Sequence, residues 1–134
     1  MESVPFRIEL YDGFAETRGI LRLENESVFL EFETKDSFFG VIKSGVQSID
    51  IPLKYLSSAH LAKSIFGNKI ILHAHSLKAF EKFPSSSSGE LKLGIKRKFK
   101  HQAENLVTNI NLKISEERLK ALSEDNGSSN QLEQ

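Results

Sequence analysis

The stretch "AHLAKSIFGNKIILHAHS", residues 59–76, holds three of the chain's four histidines: His60, His73 and His75. Imidazole is the commonest ligand for zinc, nickel and copper, and it titrates near neutral pH, so the spacing of these three matters. A two-residue turn at Gly67-Asn68 fits the Gly-first preference of a type II′ hairpin. That turn sets Ile65 against Ile70, Lys63 against Leu72 and Leu61 against Ala74 on one largely apolar face. The opposite face then pairs Ser64 with Ile71, Ala62 with His73 and His60 with His75. Directly opposed residues have Cβ atoms roughly 5 Å apart, and His73 lies one diagonal step away. Two readings follow. Either His60, His73 and His75 form a metal-binding or pH-sensitive surface, or they lie on the solvent side of an ordinary strand pair. The second is favoured by the lack of nearby carboxylates to orient metal-bound imidazoles.

A second chemical feature is "KLGIKRKFKH", which gathers Lys96, Arg97, Lys98 and Lys100 where a strand pattern gives way to a helical one. Such a cluster suits an anionic partner: a phosphate, a lipid surface or an acidic protein patch. It also suits solvated charge at a junction, and cations at a helix N-terminus oppose its dipole. The adjacent carboxylates Glu31/Glu33 and Glu116/Glu117 have no apolar setting that would tune a general acid. There is no glycine-rich phosphate loop, "HExxH" or "GxSxG". The expectation is a protein that is not an enzyme and uses no cofactor.

These residues must be positioned by elements, and the first two-thirds of the chain reads as strands. "PFRIEL" alternates Phe6, Ile8 and Leu10 against Arg7 and Glu9. "GILRLENESVFLEF" forms a hairpin about Asn25-Glu26, with Leu23 facing Val28, Leu21 facing Leu30 and Gly19 facing Phe32. A one-residue slip would destroy that apolar face. "TKDSFFGVIKSGVQ" is a loop whose Phe38, Phe39, Val41 and Ile42 either cap a barrel end or form a binding patch, capping being favoured. "VQSIDIPL" is a strand that Pro52 marks as an edge or an end. "PSSSSG" is a linker within the domain, and "ELKLGIK" is a last strand. The period then changes: Ala103, Leu106, Val107, Ile110 and Ile114 recur at helical spacing.

The bulk properties bound the rest. The chain has 134 residues, enough for one domain with its own core. It has no cysteine, which excludes disulfides and thiolate chemistry. Lys+Arg and Asp+Glu both total 18, a balance that argues against nucleic acid as partner. The start "MESVPFRIEL" has no signal-peptide pattern and no apolar run has membrane-span length, so the expected location is the cytoplasm. The expected organisation is one domain over residues 1–122. Its strands lie within about 4–98 and its helix over 100–114, with an extension at 115–123 and a flexible tail at 124–134. The fold class read from the residues is mainly β: a small barrel or sandwich of about seven antiparallel strands with an amphipathic C-terminal helix.

In this order of elements the chain resembles the pleckstrin-homology-like superfold, and in particular small bacterial members of uncharacterised function. The stretches that carry the resemblance are "RGILRLENESVFLEFETKDSFFGVIKSG", "IDIPLKYLSSAHLAKSIFGNKIIL" and "GELKLGIKRKFKHQAENLV", within Val4 to Ile114. The resemblance implies a partly open β-barrel of about seven antiparallel strands capped by the amphipathic helix, serving as a docking or scaffold module. It does not extend to phosphoinositide recognition, because the first hairpin offers only Arg18 and Arg22, with Asp12 and Glu16 nearby. The first expectation is therefore an interaction module that binds a protein or peptide, through an edge strand near Pro52 or by pairing two copies into a homodimer. The alternatives are an anion or membrane-surface binder using Lys96, Arg97, Lys98 and Lys100, and a metal-responsive role for the histidines.

Overall fold

In the computed structural model the described residues are 2–10, 15–36, 45–81, 83 and 89–133, with Leu10, Asp36, Leu77 and 125–133 described by backbone alone. The expected cap residues Phe38, Phe39, Val41 and Ile42, and the serines of the linker, lie outside them.

β1 (Glu2–Leu10) and β2 (Ala15–Glu24) form an antiparallel pair that sets Phe6 opposite Gly19 and Arg7 opposite Arg18. The alternation read in "PFRIEL" holds, with Phe6 buried and Arg7 exposed. β3 (Ser27–Asp36) continues the meander in the register expected from the sequence, with Leu23 opposite Val28, Leu21 opposite Leu30 and Gly19 opposite Phe32. Asn25 turns the chain with φ at 54°, a left-handed conformation that Asn tolerates. β4 (Gln47–Pro52) pairs with β3 and ends the sheet on that side, so the strand bearing Pro52 is an edge.

A 3-10 turn at Leu53–Tyr55 then leads into β5 (Leu56–Ser64), β6 (Gly67–Ala74) and β7 (Glu90–Ile95). The seven strands lie in the order β4-β3-β2-β1-β7-β6-β5, all antiparallel, so the two edge strands are neighbours in sequence. Laid flat, seven strands would separate those edges by about 29 Å. The link from Pro52 to Leu56 spans at most about 14 Å. The sheet must therefore curl until its edges approach. They do not hydrogen-bond to each other, and the barrel stays partly open.

The open side is filled by α1 (Lys100–Glu133), entered through a 3-10 turn at Arg97–Phe99. Ala103, Leu106, Val107, Ile110 and Ile114 are all buried, as their spacing predicts, against a core that includes Leu21, Leu30, Ile70, Leu72, Leu91 and Leu93. Asn111 also grips the β5 edge. Its Oδ1 accepts from Ala59 N at 3.0 Å and its Nδ2 donates to Ala59 O at 2.8 Å. Arg118 donates to Ser57 O at 2.7 Å. These bonds occupy the Ala59 amide and the Ala59 and Ser57 carbonyls, which hinders another strand from pairing there. The helix also runs past the expected boundaries, through residues 124–133. The segment beyond Ser115 contains no proline, and its single Gly127 costs only about 1 kcal/mol. No helix among the described residues is long and apolar enough to cross a membrane.

The β5–β6 register differs from the sequence expectation. The turn is Ile65-Phe66, placing Leu61 opposite Ile70, Ala59 opposite Leu72 and His60 opposite Ile71. Gly67 still supplies a positive φ, 128°, but as the first residue of β6. The missed turn signal is Ser64. Its hydroxyl donates to Gly67 O at 2.9 Å and accepts from Phe66 N at 3.2 Å, a local side-chain turn that competes with the Gly-Asn alternative. The observed pairing also sets Ile70 and Leu72, both fully buried, against Leu61 and Ala59. The two registers differ by an even number of residues, so the paired residues keep their expected inward and outward faces, while Ile65 leaves the apolar face for the turn and is exposed.

A candidate anion-binding cleft

β1 and β7 share one register pair, Arg7 with Gly94, and the surface opens into a cleft of about 290 Å³ beside it. Gly94 makes this possible in two ways. A Cβ there would lie 2.7 Å from the Arg7 carbonyl oxygen, so glycine lets the two strands approach. Without a side chain it also leaves the cleft floor bare. Arg7 and Arg18 come from the outward face of the β1–β2 hairpin, and Lys96 and Lys98 from the junction between β7 and α1; all four line the cleft. Phe99 and Pro5 contribute apolar wall.

Like charges directly opposite one another on a sheet repel, and Arg7 faces Arg18. Glu16 relieves that contact: its carboxylate accepts from Arg18 Nε at 2.9 Å and lies 4.0 Å from Arg7 Nη1. One carboxylate thus holds two guanidiniums in place. Lys98 lies 5.1 Å from the centre of the Phe99 ring. Among the described residues neither Lys96 nor Lys98 forms an ion pair with a carboxylate. Lys69 stands opposite Gly94 on β6 and extends the basic row. The cleft therefore presents more cationic than anionic groups, and its size suits a phosphate or a small phosphorylated group.

The four residues expected at the basic junction divide between two surfaces. Lys96 and Lys98 line the cleft. Arg97 donates from Nη2 to Ile65 O at 3.1 Å, on the far side of the 3-10 turn. Lys100 is one of the charges that lower the Glu104 pKa, behind the hydrogen bond from Lys63 that contributes most. Arg7 is the contribution that local reading missed. Its signal was the Arg7–Arg18 opposition, visible once the β1–β2 register is drawn.

The histidines assemble only in part. His60 and His73 stack with ring centroids 5.1 Å apart, and His73 Nε2 lies 3.3 Å from His60 Nδ1. His75 lies beyond the end of β6, where its N–H donates to Tyr55 O at 2.9 Å. His60 faces Ile71 instead of His75, because the turn sits at Ile65-Phe66. Among the described residues no three such side chains are arranged so that they could hold a metal ion. The carboxylate that the local sequence did not supply comes from β7, where Glu90 Oε1 lies 3.6 Å from His73 Nδ1.

Three other carboxylates are engaged as well. Glu31 pairs with Arg22, Glu33 lies 3.5 Å from Lys35, and Glu104 accepts from Lys63 at 2.9 Å. No protein-family model, curated protein or solved structure matches this chain.

Proposed function

We propose that the chain is a non-enzymatic cytoplasmic docking module that seats a phosphate-bearing anionic partner in the cleft over Gly94. The observation that carries this reading is the convergence of Arg7, Arg18, Lys96 and Lys98 on one cleft in a chain of zero net charge. Glu16 is held between two guanidiniums, so it serves as a brace for the cations more readily than as a base. The resemblance to pleckstrin-homology-like modules, which dock through surface loops and edges, agrees with a binding role.

Titration with inorganic pyrophosphate, read by calorimetry and by amide shifts, tests the reading. Saturable binding that moves the Gly94 and Lys96 amides, and that weakens at least about tenfold in an Arg18→Gln/Lys98→Gln variant, is expected from losing two charge-assisted contacts. Equal binding by the variant, or none by the wild type, would reject it.

A second reading has its own observation. Among the described residues β4 pairs only with β3, while Asn111 and Arg118 bond to backbone groups of the β5 edge. An extended peptide could add to β4. Protection of the β4 amides from hydrogen exchange by a bound peptide would support it.

A further inference from the structure

Two-residue hairpin turns are normally built from Asn, Gly or Asp. The β5–β6 turn is built from Ile65 and Phe66, which are 81% and 93% exposed. The backbone of this tip is held firmly. Ser64 makes two hydrogen bonds across it, and the Arg97 guanidinium binds the Ile65 carbonyl. The apolar side chains are therefore presented outward on a fixed support.

The surroundings of the tip are basic. Lys63 precedes it on β5, and Arg97 touches it. Lys96 and Lys98 flank Arg97 and lead to the cleft. The nearby acid, Glu104, is engaged by Lys63.

We propose that Ile65 and Phe66 insert into the headgroup–acyl boundary of an anionic bilayer, while the surrounding cations engage lipid phosphates. This rests on the anion-docking reading of the cleft and names its source as a membrane surface. An apolar projection within a basic collar has the two components of reversible membrane attachment: apolar burial and attraction to anionic headgroups. A protein partner fits less well, because two side chains supply far less than the roughly 800 Å² per partner of a stable interface. A second copy fits poorly, since self-pairing would bring the same cations together.

The chain has no tryptophan, so Phe66→Trp provides a single fluorescent reporter. With vesicles of phosphatidylserine and phosphatidylcholine its emission should shift to the blue and be quenched by brominated lipid. Phosphatidylcholine alone should leave it unchanged. Ile65→Ser/Phe66→Ser should weaken co-sedimentation with the anionic vesicles by about tenfold or more, and should leave pyrophosphate binding at wild-type strength. Emission that stays water-like while the protein sediments would overturn insertion but leave the cleft reading standing. A blue shift that follows protein concentration without vesicles would overturn it in favour of self-association. No sedimentation at all would also overturn it, and the pyrophosphate titration then shows independently whether the cleft reading survives.

Discussion

At the scale of single residues, two positions show how closely the fold constrains its chemistry. Gly19 sits between Phe6 and Phe32 in one cross-strand row, with Phe83 at 4.5 Å from Phe32 and 6.0 Å from Phe6, ring centre to ring centre. A Cβ at Gly19 would overlap Glu31 O and lie 2.8 Å from both Phe32 Cβ and Phe6 Cζ. Gly19→Ala should therefore cost about 1–3 kcal/mol by overpacking, read as a lower urea midpoint. Gly45, with open space around its Cβ position, should accept alanine with a change under about 0.5 kcal/mol. The second position is Glu104. The hydrogen bond from Lys63 is the main cause that holds its pKa below the ordinary 4.5; desolvation opposes it and comes next, and the charges of Lys63, Lys100 and His101 add smaller lowering contributions. Because the folded value is the lower one, its contribution to stability is present above the unfolded pKa and is lost as pH falls through the folded value. Lys63→Ala should return the Glu104 carboxyl toward 4.5, measured by carbon-detected NMR titration.

At the scale of elements, the reliable sequence signal was alternation confined by burial on one face. The β2–β3 hairpin was legible to the residue because Leu21, Leu23, Val28, Leu30 and Phe32 admit one register. The β5–β6 hairpin was not, because Gly67-Asn68 imitates a turn that Ser64 makes two residues earlier. The faces survived that misreading and the pairings did not, so the outward position of the histidines was legible while their meeting partners were not. The cleft escaped for a different reason: Arg7 and Lys98 lie far apart in sequence and are joined by the β1–β7 pairing, which no local pattern encodes. The α1 apolar stripe was clear, but the role of Asn111 was hidden, since one polar residue in a helix carries no periodicity. Asn111→Ala should cost about 2–3 kcal/mol by stripping both partners from Ala59, and should speed amide exchange at Ala59. Normal exchange there would mean that water replaces the side chain without loss.

At the scale of the whole molecule, zero net charge conceals polarity. Arg7, Arg18, Lys96 and Lys98 gather about the cleft against one lining carboxylate, Glu16, in a chain whose charges otherwise balance. An average over the chain therefore understates the field that an approaching anion meets. Pyrophosphate affinity should fall at least about tenfold between roughly 0.1 M and 1 M salt, as the Debye length contracts from about 10 Å to 3 Å. A flat salt response would indicate binding away from the basic end.

The Arg7–Gly94 seam also bears on kinetics. The β2–β3 and β5–β6 hairpins each close a two-residue loop, whereas this seam joins positions about two-thirds of the chain apart and repays its loop-closure entropy only when the intervening strands are in place. Closure of the barrel should then come after the folding transition state. Gly94→Ala would crowd the Arg7 carbonyl, and its destabilisation should appear as faster unfolding with little change in the refolding rate. In a chevron plot the unfolding limb alone would rise; a matching drop in the folding limb would place the seam in the nucleus instead.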